Sequence, residues 1–257
     1  MSTERIPVAA ALATAALAAS AALAGALPEV GAGAAPPSVR SLIVGNGGSL
    51  LSAARTVSAS ATTVRVGGRN CAVAAGTPLA VLAAVRRAGG PGFALRDYGH
   101  CGPSPRDSAQ LFVYSVGGQR NSGQSGWEYK VDDVSGTAGA GDPSGPRGDG
   151  RRLHTGERVL WFWCRAVGAG CQRSLAVSAS PSDVPAGGSV TVTVTGFDNE
   201  GRAAPVAGAI VTLGSDFAST APSGRAALIA PSMPGRFAVA AARNGLVTSF
   251  PETIVVR

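Results

Sequence analysis

Lysine, histidine and recognisable catalytic signatures are scarce in this sequence. Lys130 is the single lysine among 22 basic residues, and His100 and His154 are the two histidines. The arginines behind the net charge of +7 are scattered, with Arg86-Arg87 and Arg151-Arg152 as the tightest groups. Nucleic-acid binders concentrate basic charge along a groove or helix and interleave it with aromatics, so nucleic acid is excluded as a partner. The arginine bias, with abundant Ala and Gly, reads as the codon usage of a GC-rich genome, and weak attraction to an acidic cell wall follows from the charge alone. No C-x-x-C or H-x-x-x-H spacing supports a zinc site. Asp132, Asp133, Asp142 and Asp149 sit in a glycine-rich loop but match neither an EF-hand nor a calcium-binding repeat. A nucleophile elbow, a phosphate-binding loop and a dinucleotide fingerprint are all missing. His154 near Glu157, and the carboxylates Asp97, Asp107 and Glu128, form no motif that selects a triad or a glycosidase pair. These absences predict no metal, no cofactor and no catalytic residue.

One long apolar run is present. Ile6 to Leu27 follows Arg5 without a charge before Pro28 and offers Ala22-Leu23-Ala24 and Ala24-Gly25-Ala26 as exits, the pattern of a secretory signal peptide over 1–26. An alanine-rich run has a weak drive to stay in the bilayer. SFPETIVVR at the carboxyl end predicts no second anchor. The expected location is therefore secreted, extracellular or cell-wall associated, with no stable membrane anchor once the signal is cleaved.

Export makes the four cysteines a disulfide set. Three pairings are open, and the favoured one joins Cys71 to Cys101 and Cys164 to Cys171, the latter across the short loop RAVGAG. Residues 27–61 are rich in Ala, Gly, Ser and Pro and read as a linker or stalk. ATTVRVGG then alternates as a strand into a Gly-Gly turn. TPLAVLAAVRRAGG is a helix: Thr77 caps it, Pro78 fits its first turn, the arginines suit its last turn and Gly89-Gly90 stops it. FALRDYG, LFVYSVGG, WEYKVDD and RVLWFWC read as strands, giving an α+β domain over 62–172. The loop from Asp132 to Gly150 reads as a flexible, solvated connection. Beyond it SLAVSAS, SVTVTVTGFD, GAIVTLG, RAALIAP, GRFAVAAA and TIVV alternate between turns with no helix signal, which predicts an all-β immunoglobulin-like sandwich over 173–257.

GWEYKVDD, with VYSVGG before it and GERVLWFW after it, resembles a domain family related to the C-terminal domain of transcobalamin. Gly126, Trp127, Tyr129, Val131, Gly156, Glu157 and Val159 carry the match, and Asp132-Asp133 stands where that family has Asn-Gly. The resemblance implies a β-grasp fold for 62–172. It does not imply cobalamin binding, since a fold does not carry its ligand with it. PVAGAIVTLGSDFASTAPSGRAALIAPSMPGRFAVAAARNGLVTS is similar to bacterial immunoglobulin-like modules of surface proteins, which serve as spacers or adhesion units.

In a strand, Val159, Trp161 and Trp163 face one way and Leu160, Phe162 and Cys164 the other. Both faces of RVLWFWC are apolar, and one is expected beneath the Thr77 helix. Trp127, Tyr129, Trp161 and Trp163 are the candidate ligand-binding residues, stacking on a carbohydrate or another envelope component. The alternative is a purely structural two-domain surface module with these aromatics at the interdomain core. A secreted hydrolase ranks third and would need His154 or Asp97 in a reactive pocket.

Overall fold

The computed structural model describes residues 35–257, so the signal segment 1–26 and residues 27–34 lie outside it. The described residues form one compact unit. It is built mostly of strands, and no described helix is long and apolar enough to cross a membrane.

The first half opens with strands β1 (Ser38–Val44) and β2 (Leu50–Ser58), then β3 (Thr62–Val66) and β4 (Arg69–Val73). Helix α1 (Pro78–Arg87) follows. Next come β5 (Phe93–Asp97), β6 (Leu111–Val116), β7 (Gln119–Arg120), β8 (Gly126–Val131), β9 (Val134–Ser135) and β10 (Arg158–Cys164). The central sheet has five strands in the order β2-β1-β10-β8-β9, with β1 and β10 parallel and the other neighbours antiparallel.

The reading of 27–61 as a linker is corrected here. Residues 38–58 supply two strands of the central sheet, including the parallel partner of RVLWFWC. Val39, Leu42, Ile43 and Val44 are almost fully buried. The small residues around them hide the strand signal, yet RSLIV pairs in register with RVLWF, with Leu42 opposite Leu160 and Val44 opposite Phe162.

Thr77 Oγ1 accepts from the Ala80 N–H at 3.2 Å, so the cap expected from sequence is formed. Helix α1 buries Leu79, Val81, Leu82 and Val85 against the central sheet and the flanking strands. Around it lie the β3–β4 hairpin and the sheet β5-β6-β7. The loop from Asp132 to Gly150 packs rather than standing free in solvent. Ser108 Oγ donates to Gly141 O at 2.6 Å, and Leu79 N–H donates to Ala140 O at 2.8 Å, tying the loop over the start of the helix.

Cys71 pairs with Cys101 and Cys164 with Cys171. The second bond closes the hairpin of β11 (Ala166–Val167) and β12 (Gly170–Cys171), at the junction with the second half.

That half is a sandwich of two sheets. One joins β13 (Ser174–Ser180), β15 (Ser189–Phe197), β16 (Ala203–Pro205) and β19 (Arg225–Ile229). The other has the order β14 (Asp183–Val184), β21 (Glu252–Val256), β20 (Gly235–Ala242), β17 (Ile210–Leu213) and β18 (Asp216–Ser219). The alternation in SVTVTVTGF places Val190, Val192 and Val194 inward, against Val211, Leu213, Val239 and Ile254 of the opposing sheet.

Candidate functional site

The four aromatic candidates do come together, but in a core. Trp127 lies opposite Trp163 and Tyr129 opposite Trp161 across β8 and β10, making two cross-strand pairs on the helix-facing side. The Trp127 and Trp163 rings meet edge to face with centroids 5.9 Å apart, and Tyr129 and Trp161 lie 5.4 Å apart. All four are less than a tenth exposed.

The polar tips of three of them are used internally. Trp127 Nε1 donates to Gln119 O at 2.8 Å, Trp161 Nε1 to Pro78 O at 3.3 Å, and Tyr129 Oη to Ala138 O at 2.7 Å. Burial is the main reason the Tyr129 phenol is held well above its usual range. The stacking platform expected from sequence is therefore corrected: three of these rings, Trp127, Tyr129 and Trp161, line only a cavity of about 120 Å³ between β6, β8 and the 138–140 loop. Ligand pockets usually run to roughly 300–1,000 Å³. The alternative that places the same rings between the two halves is corrected for Trp127, Tyr129 and Trp161, which lie in the core of the first half, whereas Trp163 at the end of β10 also borders a small cleft beside Asn244, Gly245 and Leu246.

The interdomain contact uses the opposite face of the central sheet. Leu42, Val44, Leu160, Phe162 and Cys164 pack against Val247 and Phe250, which lie between β20 and β21. The guanidinium groups of Arg40 and Arg158 lie over the Phe250 ring, at 5.7 and 5.8 Å from its centre. Arg40 also donates to Pro251 O at 2.7 Å, and both arginines approach Glu252, at 3.8 and 3.9 Å. Arg158 reaches Asp133 at 3.3 Å. Burial raises the Asp133 carboxyl, and Arg158 opposes that rise.

Lys130 completes this face and was not among the sequence candidates. It sits opposite Leu160 on β8 and is fully buried. Its Nζ donates to Ser174 Oγ at 3.0 Å, Phe197 O at 2.9 Å and Asp198 O at 2.6 Å, all in the second half. An ammonium has three donors, and all three are satisfied across the junction. Burial pushes this group down to about 8, while Asp133 and Asp198 pull it back up. In the sequence Lys130 alternates with Trp127, Tyr129 and Val131 and so shares the polar face of Glu128, which reads as solvent-facing and hid its burial.

Of the titratable groups considered for catalysis, Asp97 and Glu157 are engaged in holding loops. Asp97 accepts from the N–H groups of Gly99 and Cys101 at 2.9 Å each and from Arg69 at 2.6 Å, and the Gly99 bond leads the set that lowers its carboxyl. Glu157 accepts from the His154 N–H at 2.8 Å and from Arg151. Among the described residues no group of His, Cys, Asp and Glu is arranged to hold a metal ion.

The site and fold thus define a disulfide-braced, mostly β protein whose two halves meet over a charged and aromatic clasp. No protein-family model matches the chain, and no curated protein matches it. Among solved structures it is similar to the D00-D0 domain of Intimin at 16% identity, covering 58% of this chain and 90% of that one, with a TM-score of 0.25. A likeness that weak carries no argument about fold or function.

Proposed function

We propose that the protein is a non-catalytic structural module of the extracytoplasmic space, in which a β-grasp-like domain and an immunoglobulin-like sandwich act as one rigid body at or beyond the cell surface. The observation that carries this reading is the clasp: Lys130 spends all three donors, and Phe250 its ring, on fixing one half against the other. A protein that needed its halves to move would leave such a junction wet and sparsely bonded.

Other features support the parts of the reading. The central sheet sets its first and last strands side by side and parallel beneath a single helix, in keeping with a β-grasp. In the sandwich, β14 runs parallel to the final strand and the two sheets share one core, in keeping with an immunoglobulin-like domain. Two disulfides, one of them at the junction, suit an oxidising compartment.

The test is fractionation of the native host followed by thiol trapping. The expected result is recovery outside the cytoplasm with all four cysteines blocked until the protein is reduced. Recovery in the cytosol with four alkylatable thiols would overturn the location. Two independently tumbling halves in NMR relaxation would overturn the rigid body.

A further inference from the structure

We propose that the cleft between β3, the C-terminal end of α1 and β5 binds a small amphipathic anion, its acidic group held by Arg65, Arg86 and Arg87 and its apolar body lying on Val64, Phe93 and Leu95. This site lies on the first half, away from the clasp, and does not depend on the structural role proposed above.

The cleft has a volume of about 260 Å³. That is just under the roughly 300–1,000 Å³ usual for ligand pockets and points to a small occupant. Its lining has two characters. Val64 and Ala83 are buried and Phe93 and Leu95 half-buried, which gives an apolar floor, while Thr62, Thr63 and the three arginines form a polar rim. No carboxylate lines the cleft, and among the described residues none of the three guanidinium groups has a carboxylate partner. Asp97, at the end of β5, is already committed to Arg69.

The plainer account of Arg86 and Arg87 is that they offset the negative end of the helix dipole. The helix end is already served without them. Gly90 N–H donates to Val85 O at 2.9 Å, Gly89 N–H to Arg86 O at 3.1 Å, and Arg55 reaches in to donate to Ala88 O at 2.8 Å. Arg86 instead lies over the Phe93 ring at 5.6 Å, and Arg87 donates to Thr62 Oγ1 at 2.7 Å, so both are held at the cleft. An anion here meets roughly half a unit of negative charge from the helix end but three guanidinium charges around it, and attraction wins.

An acidic peptide strand is a worse fit. Among the described residues β3 pairs only with β4 and β5 only with β6, so two strand edges border the cleft. Their Cα atoms nevertheless approach within 8 Å in places. An inserted strand needs two ladder spacings, about 9.5 Å. The room suits a short apolar tail.

Isothermal titration of the full secreted chain with octanoate and with octyl phosphate, against 1-octanol and octylamine, tests this. Saturable binding of one or both anions is expected, about tenfold or more tighter than 1-octanol, as one charge-assisted hydrogen bond supplies. The two anions also separate a carboxylate from a phosphate as the natural head group. R65Q/R86Q should lose that preference, while the exposed control Arg236→Gln should keep it. Equal affinity for octylamine, retention of the preference in R65Q/R86Q, or no saturable binding of either anion would overturn the proposal. Binding of an acidic peptide in place of both anions would overturn it in favour of strand addition.

Discussion

Replacing Phe250 by alanine tests whether the two halves are one cooperative unit. The ring is almost buried, touches the Leu160 and Phe162 face of the central sheet and lies under Arg40 and Arg158. Removing a buried phenylalanine costs about 3–5 kcal/mol, and the lost cation–π contacts lie within that figure. For a unit of this size each kcal/mol moves the midpoint by roughly 2–4 °C, so the shift should be roughly 6–20 °C. All three tryptophans lie in the first half and none in the sandwich. Their fluorescence therefore reports the unfolding of a half that does not contain Phe250, while far-UV circular dichroism reports the whole chain. In the wild type the two transitions should coincide, and Phe250→Ala should lower the fluorescence midpoint even though the change lies in the other half. Phe217→Ala, on a side chain 71% exposed, is the control and should change stability by no more than about 0.5 kcal/mol. A tryptophan-reported midpoint left unchanged by Phe250→Ala would refute the coupling.

Lys130 gives a prediction in pH. Its folded pKa of about 8 lies below the unfolded value of about 10.4, so between them the unfolded chain holds more protons and stability rises with pH. Relative to Lys130→Met, the wild type should gain about 2 kcal/mol from pH 8 to 10, read from urea denaturation; a flat difference would remove the buried-ammonium argument. Above pH 10 Tyr129 reverses the trend, because its raised folded pKa leaves the unfolded chain ionising first. Among the disulfides, the Cys71–Cys101 loop spans 30 residues and the Cys164–Cys171 loop 7. Serine pairs should then cost about 3–4 kcal/mol at the first and about 2 kcal/mol at the second by loop-closure entropy, and the reverse order in thermal denaturation would contradict that account. Acrylamide should quench the tryptophans weakly in the wild type and equally weakly in folded Phe250→Ala, since the indoles are buried in the core of the first half; strong quenching would reopen the stacking platform.

The sequence made the second half the easier one to read. SVTVTVTGF alternates threonine with valine, and every valine in it is buried, because an antiparallel sheet with one wet face writes its orientation directly into a two-residue period. Helix α1 was legible for the same kind of reason, from a cap, a proline and a glycine stop, each acting within a few residues. The first sheet was harder. Both faces of RVLWFWC are apolar, so the pattern announces burial without saying which neighbour covers which side. Its parallel partner, SVRSLIV, lies more than a hundred residues upstream among small residues that look like a stalk. A parallel pair has no connecting turn to betray it.

The site was misread for a related physical reason. Aromatic residues fill cores and bind ligands with the same surfaces, and only the packing of other elements decides between the two uses. Here the face carrying Trp161 and Trp163 is closed by α1, and the face carrying Leu160 and Phe162 is closed by the sandwich. Lys130 lies on that second face. A buried cation costs several kcal/mol unless its donors are met, so a lysine there is stable only while Phe197 O, Asp198 O and Ser174 Oγ stay in place. Apolar contact alone would let the halves slide by a residue, whereas three directed hydrogen bonds to one nitrogen fix a single orientation. The lone lysine acts as a specificity device for the junction, which is why its removal should loosen the angle between the halves more than it changes either half.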